Sequence, residues 1–231
     1  LMDKFKYVVP QGSPMSAIGN PYHVQSAGNC FVIDAPYDSY GGICKSDQEL
    51  AQLMKRRCGV GLDLSNIRPK NTITNNAAKT TDGIGIFMER FSNTTREVAQ
   101  GGRRGALLES LSIQHPDIET FINIKRDEKK VTGANISVRI TDEFMNAVKN
   151  DENFELKFPV NSDNPIITKK VQAKEIWNQL MNSAWASAEP GILFWDTIIK
   201  NSLPDLYSSE YHYFKTQSTN PCGEITLGLD S

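Results

Sequence analysis

The stretch ANISVRITDEFMNAVKN, residues 134–150, contains the junction that decides the fold class. Its first half alternates apolar and polar residues, and the apolar positions are Ile136, Val138 and Ile140. This alternation is typical of a strand with one buried face. Thr141 then precedes two acidic residues, which is how a helix with an N-cap begins. The stretch therefore predicts a strand followed directly by a helix.

The same order recurs along the chain, so the fold class is predicted to be α/β. The 231 residues show no internal repeat and no clear linker, which favours a single domain over residues 1–231. Periodicity does not decide whether the sheet is open or closed. Ser46 is the predicted N-cap of the first long helix, and Trp177, Trp185 and Trp195 fall on patterns that place them in the core. Candidate strands lie at 30–33, 60–65, 105–113, 134–140, 154–160 and 191–196, and candidate helices at 46–57, 83–100, 115–129, 141–150, 173–189 and 197–201.

Composition excludes several classes of protein. The apolar share of 39% and the charged share of 23% are ordinary for a globular domain. A net charge of −2 argues against a general nucleic-acid binder, which carries a basic excess. The sequence has no apolar run of transmembrane length and no secretory signal at its start, so we expect a cytoplasmic protein without a membrane partner.

Four cysteines, Cys30, Cys44, Cys58 and Cys222, are spread along the chain. None forms a CxxC pair, so the spacing does not favour a zinc site and we predict no metal ligands. A cytoplasmic chain of this size does not call for a disulfide framework. The simplest interpretation of a lone cysteine is a small buried apolar residue. Cys222 is the exception, because its neighbours are polar.

The segment STNPCGEI, residues 218–225, surrounds Cys222 with an amide and a carboxylate. Pro221 favours an extended conformation for the residue before it. In an extended segment Asn220, Cys222 and Glu224 would share one face. A nearby carboxylate disfavours the thiolate, so this thiol suits hydrogen-atom exchange better than ionic attack. The alternative is a turn with a packed cysteine.

Two further segments have the composition of ligand-binding loops. The stretch AQGGRRGALL, residues 99–108, joins a helix to a strand through three glycines, and Arg103 and Arg104 could bind a phosphate or stack on a base. The polar stretch 68–82 contains Arg68, Lys70 and Lys79 and could wrap a nucleotide triphosphate. The alternatives are a solvated turn and a mobile polar loop, respectively. His115, which precedes a proline at a helix start, is predicted to be a capping or surface residue.

Taken in order, these signals resemble the catalytic subunit of ribonucleotide reductases, in the adenosylcobalamin-dependent and related bacterial or phage forms. The resemblance covers about residues 11–225. It implies half of a ten-stranded α/β barrel, with parallel strands and crossover helices, and a finger loop that carries the radical cysteine. The motifs are GNCFVI, CGVGLDLSNIRP, GIGIFMERFSNTTREVAQGGRRGALL, HPDIETFI, VTGANISVRITDEF, SAEPGILFWDTI and STNPCGEI.

The resemblance implies a reduction of ribonucleotides to deoxyribonucleotides by thiyl-radical chemistry. Cys222 would abstract the 3′ hydrogen of the ribose, Glu224 would accept the 3′-hydroxyl proton, and Asn220 would hydrogen-bond the ribose hydroxyls. Cys30 would belong to the cysteine pair that delivers reducing equivalents. The resemblance also implies substrate-side contacts, which are Ser13, Asn29 and Gly59.

The resemblance further implies allosteric control by a bound deoxynucleotide or ATP. Its implied effector-binding residues are Asp38, Arg68, Lys79, Arg103 and Arg104. The radical source is either adenosylcobalamin or a radical-generating metallo-subunit, and the reductant is of the thioredoxin or glutaredoxin type. Whether the substrate is a di- or a triphosphate stays open.

Catalytic subunits of this family continue for hundreds of residues beyond the finger loop. The resemblance therefore implies that the chain is the N-terminal part of the barrel and needs a C-terminal fragment of the same subunit for turnover. Two other hypotheses remain. One is a non-catalytic nucleotide-binding module that keeps only the effector site, and the other is an unrelated thiol or metal protein.

Overall fold

The computed structural model describes residues 3–10, 12–98, 100, 105–207 and 215–228. Its strands are β1 (Cys30–Val32), β2 (Gly59–Asp63), β3 (Leu107–Ser112), β4 (Asn135–Ile140), β5 (Asn153–Phe158), β6 (Ile167–Gln172), β7 (Gly191–Phe194), β8 (Ser218–Thr219) and β9 (Thr226–Leu227). Its α-helices are α1 (Ser13–Ala17), α2 (Tyr40–Met54), α3 (Ile84–Glu97), α4 (Ile118–Asn123), α5 (Asp142–Asn150), α6 (Ala173–Ser187), α7 (Trp195–Asn201) and α8 (Leu203–Leu206). Short 3₁₀ turns occupy Asp3–Phe5 and Ile124–Arg126.

Five strands form one sheet in the order β1-β2-β3-β4-β7, and every neighbouring pair is parallel. Parallel neighbours need a crossover connection, which helices usually supply. Here α2, α3 and α4 each connect one strand to the next, and α5 and α6 lie between β4 and β7. The prediction of an α/β fold with parallel strands and crossover helices is confirmed.

The sheet has one apolar face and one polar face, because side chains alternate along each strand. Val60, Leu62 and Leu111 are completely buried in the main hydrophobic core together with residues of the helices. The residues between them point to the opposite side, which we call the polar face. Its polar and glycine residues include Cys30, Gly59, Gly61, Asp63, Ser110, Ser112, Ser137 and Arg139.

A short hairpin, β8–β9, packs on the polar face. A Cβ atom added at Gly61 would lie 1.6 Å from the carbonyl oxygen of Thr219, which is closer than any real contact. A Cβ atom added at Gly59 would lie 2.6 Å from the Cγ atom of Pro221. The two glycines of β2 therefore let the hairpin backbone approach the sheet directly.

An antiparallel hairpin, β5–β6, is inserted between α5 and α6. Phe154 and Leu156 of β5 are buried in the main core, and Phe154 meets Phe144 edge to face at 5.1 Å between ring centroids. The sequence predicts β5 but not β6. The reason is that β6 carries exposed lysines, Lys169 and Lys170, and so lacks a visible apolar alternation.

Two sequence predictions about helices are wrong. The helix predicted from residue 46 begins at Tyr40, with Ser39 as its N-cap, and Ser46 is a buried interior residue. Residues 40–42 read Tyr-Gly-Gly, which has low helix propensity, so the true start was hidden. Trp185, predicted in the core, is 89% exposed on α6.

His115 is a capping residue, as predicted, but it does not lie on the surface. Its Nδ1 atom accepts a hydrogen bond from the Asp117 backbone N–H at 3.0 Å, and the residue is completely buried. The surface interpretation failed because β5 covers the ring, with Phe158 at 5.8 Å between centroids. Only tertiary packing places that strand there.

None of the helices in the described part of the chain combines the length and apolarity needed to cross a membrane.

Candidate active site and nucleotide cavity

The amino ends of β1 and β2 lie side by side and carry several of the predicted residues. Cys30, the first residue of β1, pairs in register with Gly59, the first residue of β2. The carbonyl oxygen of Asn29 accepts a hydrogen bond from the Gly59 N–H at 2.8 Å. The side-chain amide of Asn29 donates to the Cys30 Sγ atom at 3.4 Å. The structure thus brings these three residues together.

Ser13, at the start of α1, joins the same group. Its backbone N–H donates to Asn29 Oδ1 at 3.1 Å, and its hydroxyl donates to the carbonyl oxygen of Arg57 at 2.5 Å. Gly12 has a φ of 56°, and a Cβ atom there would lie 2.2 Å from Asn29 Oδ1. Only a glycine allows this approach. The predicted substrate-side residues therefore form one hydrogen-bonded cluster with Cys30.

Residues 220–225 form a tight turn, so the extended segment predicted from Pro221 is wrong. The Asn220 N–H donates to the Ile225 carbonyl at 3.0 Å, and the Ile225 N–H donates to Asn220 Oδ1 at 3.0 Å. The Gly223 N–H donates to the Asn220 carbonyl at 3.0 Å, and Gly223 has a φ of 86°. This glycine reverses the chain, because its positive φ is open to glycine and disfavoured for other residues.

The turn places its three polar side chains at different depths. Asn220 is completely buried, and its Nδ2 atom has no hydrogen-bond partner among the described residues. Cys222 and Glu224 are exposed at the tip of the turn. A buried amide donor without a partner is costly, so a ligand or water that accepts from it would be stabilised.

The tip of the turn is close to the amino ends of β1 and β2. Pro221, which precedes Cys222, lies over Gly59, which pairs with Cys30. The structure therefore brings the segment of Cys222 to the strand pair that carries Cys30. Cysteine side chains on two segments that meet beside the buried Asn220 amide can serve redox chemistry on a polar ligand.

A separate cavity of about 390 Å³ lies between the start of α2 and the loop of residues 68–83. At its edge the Asp38 carboxylate accepts from the Arg68 backbone N–H at 3.0 Å and from Arg68 Nε at 2.8 Å. The Arg68 guanidinium also donates to the Ile73 carbonyl at 2.9 Å. Two of the predicted effector residues thus meet at one cavity, whose walls are Asp38, Ser39, Tyr40, Ile43, Ile67, Arg68, Thr74, Asn75, Asn76, Thr81 and Phe87.

Of the other predicted effector residues, Lys79 is not brought to this cavity. Lys79 is exposed on the loop and is not part of the cavity wall. Its backbone braces the loop, since its N–H donates to the Asn76 carbonyl at 3.1 Å. Arg103 and Arg104 lie outside the described residues.

Sequence reasoning missed a buried ion pair on the polar face. Arg139 contacts Asp63 at 2.7 Å, and Ser110 and Ser65 donate to Asp63 Oδ1 at 3.0 and 2.9 Å. The Arg139 guanidinium also lies over the Trp195 ring, 3.6 Å from its centroid. These groups line a polar cavity of about 660 Å³ at the carboxyl ends of the strands. The available signal was the single charged residue in each of two predicted strands, Asp63 and Arg139.

Glu109, in the middle of β3, is a second residue that sequence reasoning missed. It is completely buried, and neither carboxyl oxygen has a hydrogen-bond partner in the part of the chain that the structure describes. Burial raises the pKa of Glu109 well above its ordinary value, although nearby Lys125 opposes this. Lys125 itself forms an ion pair with Glu189. Glu109 therefore favours its neutral form.

Within the described ranges, no group of three or more His, Cys, Asp or Glu side chains is arranged to hold a metal ion.

Comparisons with known proteins give the chain its family. Residues 28–230 match the family model described as "Ribonucleotide reductase, barrel domain". A "Vitamin B12-dependent ribonucleoside-diphosphate reductase" of Thermoplasma acidophilum is 38% identical over 201 residues, which are 86% of this chain and 25% of that protein. A protein of the same description from Mycobacterium tuberculosis is 30% identical over 201 residues, or 86% of this chain and 28% of that protein.

The similarity extends to a more distant relative. The "Ribonucleoside-diphosphate reductase large subunit" of variola virus is 26% identical over 238 residues, which are 92% of this chain and 30% of that protein. The chain thus spans between a quarter and a third of the length of these relatives. Its five parallel strands with crossover helices fit half of a barrel. The chain belongs to the ribonucleotide reductase family and lies within its barrel domain.

Proposed function

We propose that the chain is a component of a ribonucleotide reductase that converts ribonucleotides to deoxyribonucleotides by thiyl-radical chemistry. The observation that carries the proposal is the position of the 220–225 turn. Its tip, with Cys222, is close to the amino ends of the strands that hold Cys30 and Gly59. The named relatives are ribonucleoside-diphosphate reductases, which supports a diphosphate substrate.

In the proposed reaction, the Cys222 thiyl radical takes the hydrogen atom from C3′ of the ribose and becomes a thiol. Glu224 takes the proton of the 3′-hydroxyl, and the unpartnered Nδ2 of Asn220 donates to a ribose oxygen. The 2′-hydroxyl leaves as water, and the two electrons and two protons of the net reduction come from a cysteine pair that includes Cys30 and becomes a disulfide. Cys222 then returns the hydrogen atom to C3′ and is a thiyl radical again. A dithiol protein of the thioredoxin or glutaredoxin class restores the pair.

The hydrogen atom of Cys222 must first be removed by a radical source. Adenosylcobalamin or a separate metallo-subunit would supply this one-electron oxidation, and the names of the relatives as vitamin B12-dependent reductases support the first. The exposed tip position of Cys222 suits such a source, because the oxidant has to reach the sulfur. In this chain, the Cys222 side chain is the group that we expect to face it.

We also propose that the cavity beside Asp38 and Arg68 binds the effector deoxynucleotide. The loop around it offers hydroxyl and amide groups from Thr74, Asn75 and Asn76, and Arg68 supplies a cation. Phe87 and Tyr40 add aromatic surface. This combination suits a nucleoside triphosphate, whose base can contact rings while its phosphates contact donors.

Turnover would need a second polypeptide segment, supplied by the C-terminal part of a catalytic subunit. The described strands β1 and β7 are each paired on one side only, and such edges are normally covered. A covering segment would also close the polar face over the two thiols. We place the assembled protein in the cytoplasm.

Substitution of Cys222 tests the proposed reaction. In the chain assembled with the rest of a catalytic subunit, Cys222→Ser is expected to abolish formation of deoxyribonucleoside diphosphate, measured by chromatography. The matched control is Cys44→Ser on α2, which removes another exposed thiol and should leave turnover unchanged. Retained turnover in Cys222→Ser would refute the proposed role.

A non-catalytic nucleotide-binding module is the second candidate function. It is favoured by the effector cavity, whose walls lie entirely within this chain. Such a module, assembled with the rest of a catalytic subunit, would bind deoxynucleotides. It would show no turnover, whether residue 222 is cysteine or serine. Measuring both quantities on the same preparation separates the two candidates.

A further inference from the structure

The loop of residues 68–83 leaves the core and returns to it at one narrow place. We call this place the loop neck, and it consists of Ile67, Lys70, Gly83 and Ile84. Ile67 is buried in the core, and Ile84 is the first residue of α3. The shape of the effector cavity depends on how the neck is held, because the loop supplies much of its wall, namely Arg68, Thr74, Asn75, Asn76 and Thr81.

One carboxylate, that of Asp117, bridges the two sides of the neck. Its oxygens accept hydrogen bonds from the Lys70 N–H at 3.1 and 3.0 Å. Its Oδ2 atom also accepts from the Ile84 N–H at 3.1 Å. Hydrogen bonds to an ionised carboxylate are stronger than neutral ones. Asp117 comes from the segment before α4, so a third part of the chain ties the neck together.

Gly83 makes this arrangement possible. It has a φ of 76°, and a Cβ atom there would lie 2.2 Å from Asp117 Oδ2 and 2.7 Å from the Lys70 nitrogen. Any side chain at residue 83 would therefore push the carboxylate away from the neck. The glycine and the aspartate form one close-packed unit.

His115 connects Asp117 to Ile67 of the neck through its two ring nitrogens. Its Nε2–H group donates to the Ile67 carbonyl at 2.8 Å, while its Nδ1 atom accepts from the Asp117 N–H at 3.0 Å. Burial lowers the pKa of His115, although the Ile67 carbonyl and nearby carboxylates oppose this. The neutral ring has one donor and one acceptor, and both are used by these bonds.

We propose that Asp117, held by His115, is a positioning residue that keeps the 68–83 loop in the shape that forms the effector cavity. Asp117 is not part of the cavity wall, so it acts through the loop rather than on the ligand. The ligand in this inference rests on the proposed effector function. The positioning role of Asp117 rests on its hydrogen bonds with the Lys70 and Ile84 N–H groups.

The variant Asp117→Asn tests this role, with Asp163→Asn on the exposed β5–β6 connection as the matched control. The asparagine keeps one acceptor oxygen, replaces the other with an NH₂ group and removes the negative charge, so at least one hydrogen bond of the neck is lost and the others are weakened. We expect amide hydrogen exchange at Lys70 and Ile84 to accelerate by roughly tenfold or more. We expect the dissociation constant of the tightest-binding nucleotide among dATP, dGTP, dCTP and dTTP, measured by calorimetry, to rise by a similar factor. The control should change neither quantity.

Exchange and affinity that both stay at wild-type values in Asp117→Asn would overturn the proposal. If Asp117→Asn does not fold, Gly83→Ala serves instead, since the added methyl group displaces the carboxylate and should have the same two effects. A wild-type chain that binds none of the four nucleotides would refute the effector function alone. In that case the exchange rates at the neck still decide whether Asp117 ties the loop.

Discussion

At the scale of the residue, Glu109 is a carboxyl group whose state is set by its surroundings. It is completely buried in β3, with no hydrogen-bond partner within the described ranges. Lys125 would stabilise its ionised form, but Glu189 already pairs with that lysine. Burial therefore outweighs the attraction to Lys125, and the pKa of Glu109 is raised.

A raised pKa in the folded state makes stability depend on pH. The folded protein keeps the proton of Glu109 at pH values where the unfolded chain has lost it, above about pH 4.3. The stabilisation by this group is thus complete in acid and is lost as pH rises toward the folded-state pKa. The variant Glu109→Gln removes this loss. Its free energy of unfolding relative to wild type is expected to increase from about pH 4 to about pH 7.

Urea unfolding at several pH values measures the difference in free energy of unfolding between Glu109→Gln and wild type. Each unit by which the pKa of Glu109 is raised contributes about 1.4 kcal/mol to the change in this difference. The control is Glu119→Gln on the surface of α4, where the side chain is 41% exposed beside Lys169. The control should lower the free energy of unfolding by no more than about 1 kcal/mol, since only an exposed ion pair is lost. A pH-independent difference for Glu109→Gln would contradict a neutral carboxyl at residue 109.

At the scale of the element, α5 is defined by its own short sequence. Thr141 has an extended backbone, and its side chain accepts a hydrogen bond from the Phe144 N–H at 3.2 Å. Asp142 and Glu143 occupy the positive end of the helix dipole, and Lys149 lies in the last turn. The cap at Thr141 and the two acidic residues of the first turn were predicted from the sequence, because both features are local.

The variant Thr141→Ala removes the cap and is expected to lower the free energy of unfolding by about 1 kcal/mol. Thermal or urea unfolding of the chain measures the loss. Thr141→Ser keeps a hydroxyl oxygen at the same place and should restore most of the stability. Equal losses in the two variants would mean that the methyl group of the threonine, rather than its hydroxyl, makes the contribution.

At the scale of the whole molecule, the candidate active site depends on contact between distant segments. The β8–β9 hairpin packs on β2, which lies more than 150 residues earlier in the chain. The contact is so close that Gly61 has no room for a side chain beside Thr219. The position of Cys222 next to the Cys30 strand therefore depends on residue 61.

The variant Gly61→Ala is expected to displace the hairpin from the sheet and to lower the free energy of unfolding by about 1–3 kcal/mol. Amide exchange at Thr219 and Asn220 should accelerate at the same time, because the hairpin loses its packing surface. Gly85→Ala is the matched control, since a methyl group there meets only side-chain atoms at 3.5 Å or more. Wild-type exchange in Gly61→Ala would show that the hairpin is not held by this contact.

The sequence by itself determined the alternation of strands and helices in the main sheet, and the family. The parallel α/β pattern, the cap at Thr141 and the motif order could all be seen because each depends on neighbouring residues or on a series of short local matches. The prediction failed for Trp185 and for the surface position of His115, since burial depends on what packs against a residue. No local sequence pattern shows which part of the chain packs against a given side chain.

Tertiary structure decided how the site is assembled. The approach of Pro221 to Gly59 and the hydrogen bonds from Lys70 and Ile84 to Asp117 join segments that are far apart in the chain. Such contacts follow from the close packing of preformed elements, and a residue such as Gly61 is needed only because another backbone arrives there. The sequence shows the glycine, but only the folded chain shows what it makes room for.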